Sequence, residues 1–170
     1  MQGSAREPCC FKKRKRQMHT LDTTDLKILN LIQEDARIPE RRLAALVYKS
    51  GPTVHARLEK LEEEGYIKKY VALLDRAKIG IPVMAETHVK LERQNKTAIE
   101  AFEQRISAVP QVQFCCHLAG KWDFVIFIAV KDPQTYNEWL MEELTNWPDV
   151  KNIESSFVLK EVKLYGGFVL

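Results

Sequence analysis

From residue 21 to residue 64 the apolar positions recur at helical spacing. Beyond residue 82 they largely alternate. In the first stretch Leu26, Ile28, Leu29, Leu31 and Ile32 form one broad apolar face, which predicts an amphipathic helix ending near Glu34. Asp22 stands where a side chain caps the free amides of a first turn, and Asp25 stands where a capping box places its acid. Leu21 and Leu26 occupy the two hydrophobic-staple positions. A second helix is expected from about Pro39, a natural first-turn proline, to Val47, burying Leu43, Ala44, Leu46 and Val47. A third runs from Ser50 or Gly51 to about Glu64, with Val54, Leu58 and Leu61 at i, i+4 and i+7, and Gly65 closes it. Three short helices with tight joints are the helix-turn-helix arrangement. The apolar run from Tyr66 to Leu74 then reads as a strand, either a wing or a bridge to the next domain, and 75–82, holding Gly80 and Pro82, reads as a linker.

In the second stretch Val83, Ala85, Thr87, Val89 and Leu91 alternate with Met84, Glu86, His88 and Lys90, the pattern of a half-buried strand. A helix is expected at about 96–108, carrying Ile99, Phe102 and Ile106 and stopped by Pro110. Strands are expected at 112–119 and 124–130, joined by a turn at Gly120-Lys121-Trp122-Asp123. The second of these, Phe124 to Val130, is apolar throughout and so belongs in the centre of a sheet. Asp132-Pro133 opens a last helix bearing Tyr136, Trp139, Leu140 and Leu144 and ended by Pro148, and 153–164 reads as the final strand. The order β-α-β-β-α-β is that of ferredoxin-like folds, with two helices on one sheet face. Apolar residues on the other face argue for dimerisation through that face or through an edge.

Composition excludes more than it identifies. A chain of 170 residues that is 45% hydrophobic and 29% charged has enough apolar content for a real core, so fibrous and wholly disordered classes are out. Its longest apolar run, Phe124 to Val130, falls far short of the roughly 20 residues a membrane span needs. The formal net charge of +3 changes meaning once divided. Residues 1–20 hold six Lys/Arg against one acid, whereas the other 150 hold 20 against 22. The basic character therefore belongs to an N-terminal arm, read as disordered, which lacks the apolar stretch of a secretory signal. The four cysteines form two vicinal pairs, Cys9/Cys10 and Cys115/Cys116. Neighbouring strand positions point to opposite faces, so neither pair is a good metal-ligand set. Reduced thiols in a cytoplasmic protein are the expectation.

Several local motifs resemble the leucine-responsive and asparagine-responsive (Lrp/AsnC) family of bacterial transcription regulators. Leu21-Asp22-x-x-Asp25-x-x-Ile28-Leu29 is similar to that family's opening helix, and Asp35-Ala36-Arg37-Ile38 to the turn after it. Arg57-x-x-x-Leu61-Glu62-x-x-Gly65-Tyr66-Ile67 resembles the end of its recognition helix and the start of its wing. Val71-Ala72-Leu73-Leu74-Asp75, Gly120-x-Trp122-Asp123 and Val158-Leu159-x-x-Val162-Lys163 resemble its hinge, effector loop and last strand. The pieces run in order from Leu21 to Lys163. The resemblance implies an α+β fold: an N-terminal winged helix-turn-helix over 21–74, a linker over 75–82, and a C-terminal ferredoxin-like βαββαβ domain over 83–170 for effector binding and oligomerisation, behind the arm at 1–20. It also implies a cytoplasmic DNA-binding transcription regulator responsive to a small metabolite, most plausibly an amino acid, working as a homodimer or as a tetramer or octamer built from it. There are departures. Where the family usually has Gly-Leu-Ser-Pro, this chain has Tyr48-Lys49-Ser50-Gly51-Pro52, so an altered turn is expected. Trp122 stands where a smaller aromatic is usual. Because Met18-His19-Thr20-Leu21-Asp22 resembles a normal family start, residues 1–17 also read as an over-called start.

A recognition helix reads the major groove with its N-terminal half. Thr53, His55 and Ala56 are thus the base-edge candidates, with Ser50 and Lys60 placed for phosphates. Arg57 can reach a phosphate or pair with an acid inside the domain. Arg41, Arg42, Lys49, Lys68 and Lys69 are further backbone candidates or simply a solvated face. Against DNA binding, residues 21–74 balance nine bases with nine acids, and phosphate recognition favours a basic surface. In the effector loop, the amides at Gly120 and Lys121 can take a carboxylate, Asp123 can pair with an ammonium, Trp122 shapes the pocket, and Ser155 on the last strand can add a hydroxyl. The plainer alternative is a strand-joining turn with Asp123 as a structural acceptor. No phosphate-binding glycine loop, nucleophile elbow or His-x-x-x-His helix is present, so neither enzyme, metal nor cofactor is expected. The rival function is a ligand-sensing or assembly module without sequence-specific DNA binding.

Overall fold

Asp22 starts the first helix by two routes at once. In the computed structural model, which describes residues 20–164 and 166–170, its carboxylate accepts the Thr24 and Asp25 amides at 2.7 and 2.8 Å. The Asp25 carboxylate accepts the Asp22 amide in return, a reciprocal cap that satisfies donors the helix itself cannot. Helix α1 spans Thr23–Glu34, α2 spans Glu40–Leu46 and α3 spans Gly51–Glu63. Their apolar faces meet in a core of Ile28, Leu43, Ala44, Val47, Val54 and Leu61, flanked by Leu58, Tyr66 and Ile67. Arg57 closes the α1 and α3 ends of this core, donating to Asp22 at 2.7 Å and to Asp25, which is 3% exposed, at 2.6 Å. The basic arm and Cys9/Cys10 lie outside the described residues.

Two joints depend on left-handed backbone. Gly65 has φ 80, a conformation that costs glycine nothing and ends α3. Tyr48, in the turn between α2 and α3, has φ 55. The tyrosine therefore adopts the conformation a glycine would take freely, at the expense of steric strain.

The alternating stretch forms a four-stranded antiparallel sheet in the order β2-β3-β1-β4. Its elements are β1 (Val83–Leu91), α4 (Lys96–Ser107), β2 (Val112–His117), β3 (Phe124–Val130), α5 (Pro133–Glu142), a 3-10 turn (Leu144–Asn146) and β4 (Val150–Phe157). Register puts Ala85, Thr87, Val89 and Leu91 of β1 beside Ile128, Ile126 and Phe124 of β3 on the face covered by α4 and α5. There Phe102, Ile106, Tyr136 and Trp139 complete the core. Cys115 pairs with Ile126 on this face and Cys116 with Val125 on the other. Both thiols are free, and burial pushes the Cys115 thiol up to about 11. Across the open face run Met84, Glu86 and His88, paired with Ala129, Phe127 and Val125, with Phe114 next to Phe127.

Two expectations need correction, and a third feature concerns the C-terminal residues. Tyr66 and Ile67 pack on the first core, but no strand forms over 66–74 among the described residues, and Tyr70, Val71, Leu73 and Leu74 are exposed. The apolar pattern supplies a strand's face; it does not supply the neighbour whose carbonyls and amides a strand requires. β4 stops at Phe157 instead of near Leu164, leaving Leu159 and Val162 exposed. The reason is that β1 begins at Val83, so beyond the Val158 amide bonded to the Met84 carbonyl there is no ladder left. Finally, the chain divides into a unit reaching Ala72 and a unit from Leu73 to Leu164, and residues 166–170 belong to the first. The Gln33 side chain both donates to the Phe168 carbonyl and accepts its amide. Gly167 lies so close that an added Cβ would sit 2.9 Å from Gln33 Cδ.

Arg57→Ala is expected to lower stability by about 2 kcal/mol through the lost charge-assisted bond to buried Asp25, read from urea melts of the full chain. The Asp25 amide and Arg57 hold the Asp22 carboxyl down at about 2, below its ordinary 3.8. A depressed carboxyl stabilises the fold above its unfolded value, and that contribution disappears as pH falls from about 4 to 2. The wild type should lose stability across that window more steeply than Asp22→Asn, and parallel acid profiles would refute the assignment.

Candidate nucleic-acid interface and effector loop

The start of α3 is set by Ser50. Its hydroxyl accepts the Thr53 amide and lies 2.7 Å from the Thr53 hydroxyl, so the residue expected at a phosphate serves the helix as its N-cap. From there Thr53, His55, Ala56 and Lys60 face outward, while Val54 and Leu61 go into the core. Arg57 does not join the outward set, because Asp22 and Asp25 hold it against α1. Of the two roles open to it in the sequence, the structure gives it the internal pair. Asp22, Asp25, Thr53, Ala56, Arg57 and Lys60 together line a shallow hollow of about 330 Å³.

His55 is held from two sides. Its Nδ1 lies 3.1 Å from Glu40 of α2 and its Nε2 3.4 Å from Glu59 one turn on. The hydrogen bond to Glu40, and then the charges of Glu40 and Glu59, raise its pKa above the ordinary 6.5. The resulting stabilisation is full below pH 6.5 and fades as pH rises through the raised value. When protonated, His55 also offsets one of the two negative charges it faces at Glu40 and Glu59. Glu62 is likewise engaged, accepting from the Tyr70 hydroxyl. By contrast Arg41, Arg42, Lys49, Lys60, Lys68 and Lys69 are exposed and make no ion pair among the described residues. Glu40 was missed as a site residue. No local signal reveals it, since it meets His55 only through the packing of α2 on α3.

The effector loop is divided by the alternation of the strands around it. Asp123 turns inward and is 6% exposed. One carboxylate oxygen accepts the Leu91 amide at 2.8 Å and the other accepts from Gln94 and Lys90 at 2.8 and 3.2 Å. Its own amide and carbonyl bond to Val89 and Leu118. Asp123 thus ties the loop to the end of β1, the structural role and not the free ammonium partner. Trp122 lies on the open face, its ring centroid 5.9 Å from that of His88. Lys121 sits with its ammonium 4.9 Å from the Trp122 ring centroid and 4.0 Å from Glu154. Gly120 is exposed, with open space where a side chain would be.

Ser155 is on the other side of the sheet. It pairs with Thr87 in the ladder, and the hydroxyls of Thr87, Tyr136 and Ser155 bond to one another beneath α5. The side chains beside the loop on the open face are His88 and Glu154, which pair with each other in the ladder between β1 and β4. Period-two alternation carries the signal that separates Glu154 from Ser155, once the face of β4 is known. Among the described residues no group of three or more His, Cys, Asp or Glu side chains is placed to hold a metal. No helix among them is long and apolar enough to cross a membrane.

Comparison with known proteins places both units. Residues 21–68 match the family model described as winged helix-turn-helix DNA-binding, and residues 84–168 match the Lrp/AsnC ligand binding domain. The Bkd operon transcriptional regulator of Pseudomonas aeruginosa is 38% identical over 86% of this chain and 96% of its own length. Transcriptional regulator AzlB of Bacillus subtilis is 34% identical over 84% of this chain and 91% of its own. Among solved structures, a transcriptional regulator from Neisseria meningitidis in complex with L-Met superposes with a TM-score of 0.82 at 31% identity, covering 88% of this chain and 97% of that one.

Asp123→Asn tests the geometry of the loop. The amide can present only one acceptor oxygen to three donors, so a buried donor is left unsatisfied and unfolding should become easier by about 1–3 kcal/mol. Differential scanning calorimetry should show the lowered transition. An unchanged one would mean that the three bonds do not form in solution.

Proposed function

Since the chain belongs to the Lrp/AsnC family of transcriptional regulators, we propose that it reads double-stranded DNA with the N-terminal half of α3 and responds to an amino acid bound near the 118–123 loop. The observation that carries the first part is the division of α3: Arg57 is taken up internally, and this orients Thr53, His55, Ala56 and Lys60 outward together. Thr53, His55 and Ala56 meet base edges, and Lys60 meets a phosphate, with Arg41, Arg42 and Lys49 beside them and Lys68 and Lys69 after α3. Ser50 acts through the cap it provides. The neutral balance of the unit's charges is compatible with this role because the acids at Glu40, Glu59 and Glu62 are engaged within the domain.

For the effector, the N. meningitidis relative with bound L-Met supports an amino-acid class of ligand. Asp123 supports the site from behind, and the groups left to contact a ligand are the exposed backbone at Gly120 and Lys121, the Trp122 ring, His88 and Glu154. Glu154, and not Asp123, takes the ammonium, and an amide or Lys121 takes the carboxylate. Ser155 has no part in it. The protein works as a homodimer through the open sheet face, where Phe114, 51% exposed, and the half-buried Phe127 need cover, and further assembly to a tetramer or octamer links loops from different dimers. Regulation is then linkage: a ligand that favours one assembly changes the spacing of the paired α3 helices and so the affinity for an operator. This activity takes place in the cytoplasm and involves no catalysis.

Promoter fragments retained by the purified protein, with and without a pool of amino acids, identify the operator. On that operator His55→Ala should lose preference among base substitutions, by about 1–3 kcal/mol per lost contact. Lys60→Ala should weaken all DNA alike and reduce the salt slope by about one. Identical base preferences in wild type and His55→Ala would remove His55 from the reading surface. Titration calorimetry with L-Met and then the other amino acids tests the loop: binding should occur to wild type and be lost in Glu154→Gln. Absence of heat or thermal shift with all twenty at millimolar concentration would refute the effector reading.

A further inference from the structure

Tyr48 presents two costs with nothing among the described residues to offset either. Its φ of 55 places a bulky residue in the left-handed region, where only glycine sits without strain. Its side chain is 86% exposed. The other described tyrosines are engaged: Tyr70 donates to Glu62, Tyr136 bonds to Thr87 and Ser155, and Tyr66 packs on the first core. The Tyr48 side chain makes no ring contact, hydrogen bond or ion pair among the described residues, its amide alone bonding to the Ala45 carbonyl. A glycine at this position would form the same turn and expose less apolar surface. Strain retained where the fold gains nothing points to a contact made outside the fold.

The position supplies the partner. Tyr48 ends the α2 side of the turn that delivers α3, beside unpaired Lys49 and two residues before Ser50, the cap of the reading helix. In a helix-turn-helix the reading helix lies in the major groove while the helix before it crosses the sugar-phosphate backbone, which brings the turn between them beside that backbone. We propose that the Tyr48 hydroxyl donates a hydrogen bond to a phosphate oxygen of the DNA backbone, and that this contact fixes the register of α3 in the groove. A phenol is neutral, so the contact adds affinity without displacing a counterion. That separates it from Lys49, whose contact would displace one. The inference rests on the proposed entry of α3 into the major groove.

The test compares wild type with Tyr48→Gly, Tyr48→Phe and Lys49→Ala in the full chain, measuring anisotropy of a mixed-sequence DNA duplex over a range of salt, together with melting temperature and mass in solution. Tyr48→Gly relieves the strain and removes a side chain without polar or ring contacts among the described residues, so it should melt at or above wild type while binding about three- to tenfold more weakly. Tyr48→Phe should bind with a similar loss and melt like wild type. Both should keep the wild-type salt slope, and Lys49→Ala should lower it by about one. Wild-type affinity in Tyr48→Phe overturns the hydroxyl contact, and a Tyr48→Gly protein that changes its oligomeric mass assigns the ring to a second copy and overturns the proposal. Failure of the groove reading is distinguishable, because then Thr53→Ala and Lys60→Ala also leave affinity unchanged.

Discussion

Strand β3 is apolar at every position from Phe124 to Val130, and six of its seven residues are buried. Such a strand is stable only with neighbours on both edges and cover on both faces. β1 and β2 satisfy the edges, and α4 and α5 cover the face that carries Phe124, Ile126 and Ile128. The opposite face carries Val125, Phe127 and Ala129, and here the chain supplies only strand neighbours such as Met84 and Phe114. The requirement that β3 be covered therefore organises the second unit and leaves Phe114 exposed and Phe127 half-buried on its open face.

The same strand places the loop that precedes it. Asp123 directly abuts Phe124, and its amide bonds to Val89, so the register of β3 on β1 fixes where the carboxylate falls. It falls under the end of β1, where the Leu91 amide and the Gln94 and Lys90 side chains all need an acceptor. Three donors on one carboxylate make Asp123 a rivet rather than a ligand group. The residue before it, Trp122, is turned to the open face beside His88. A four-residue loop thus provides both a support and a surface.

In the first unit Arg57 performs the equivalent division. Its guanidinium reaches the two acids that cap α1, so one interaction closes the helix start, joins α3 to α1 and removes a cation from the outward face. The face that remains combines short polar side chains with a histidine braced by Glu40 and Glu59. Bracing an exposed side chain in advance lowers the ordering cost of any contact it makes. Tyr48 lies between these parts, because the turn that carries it joins the braced face of α3 to the exposed cations Arg41, Arg42 and Lys49.

Helical and alternating periodicity, with the caps at Asp22 and Asp132, was enough to place the helices and the four sheet strands in order. Side-chain direction within a helix or a strand is a local property, and local properties are written in the spacing of residues. The outward faces of α3 were legible for the same reason. What the sequence left open were choices between partners distant along the chain: Arg57 with a phosphate or with Asp22 and Asp25, Asp123 with a ligand or with Leu91, Ser155 facing the loop or facing Tyr136. It also offered no means of seeing that 66–74 and the end of β4 lack a strand to pair with, or that Gln33 receives Phe168. Each of these depends on which groups meet after folding, and a buried polar group takes whichever partner the packing brings within hydrogen-bonding distance.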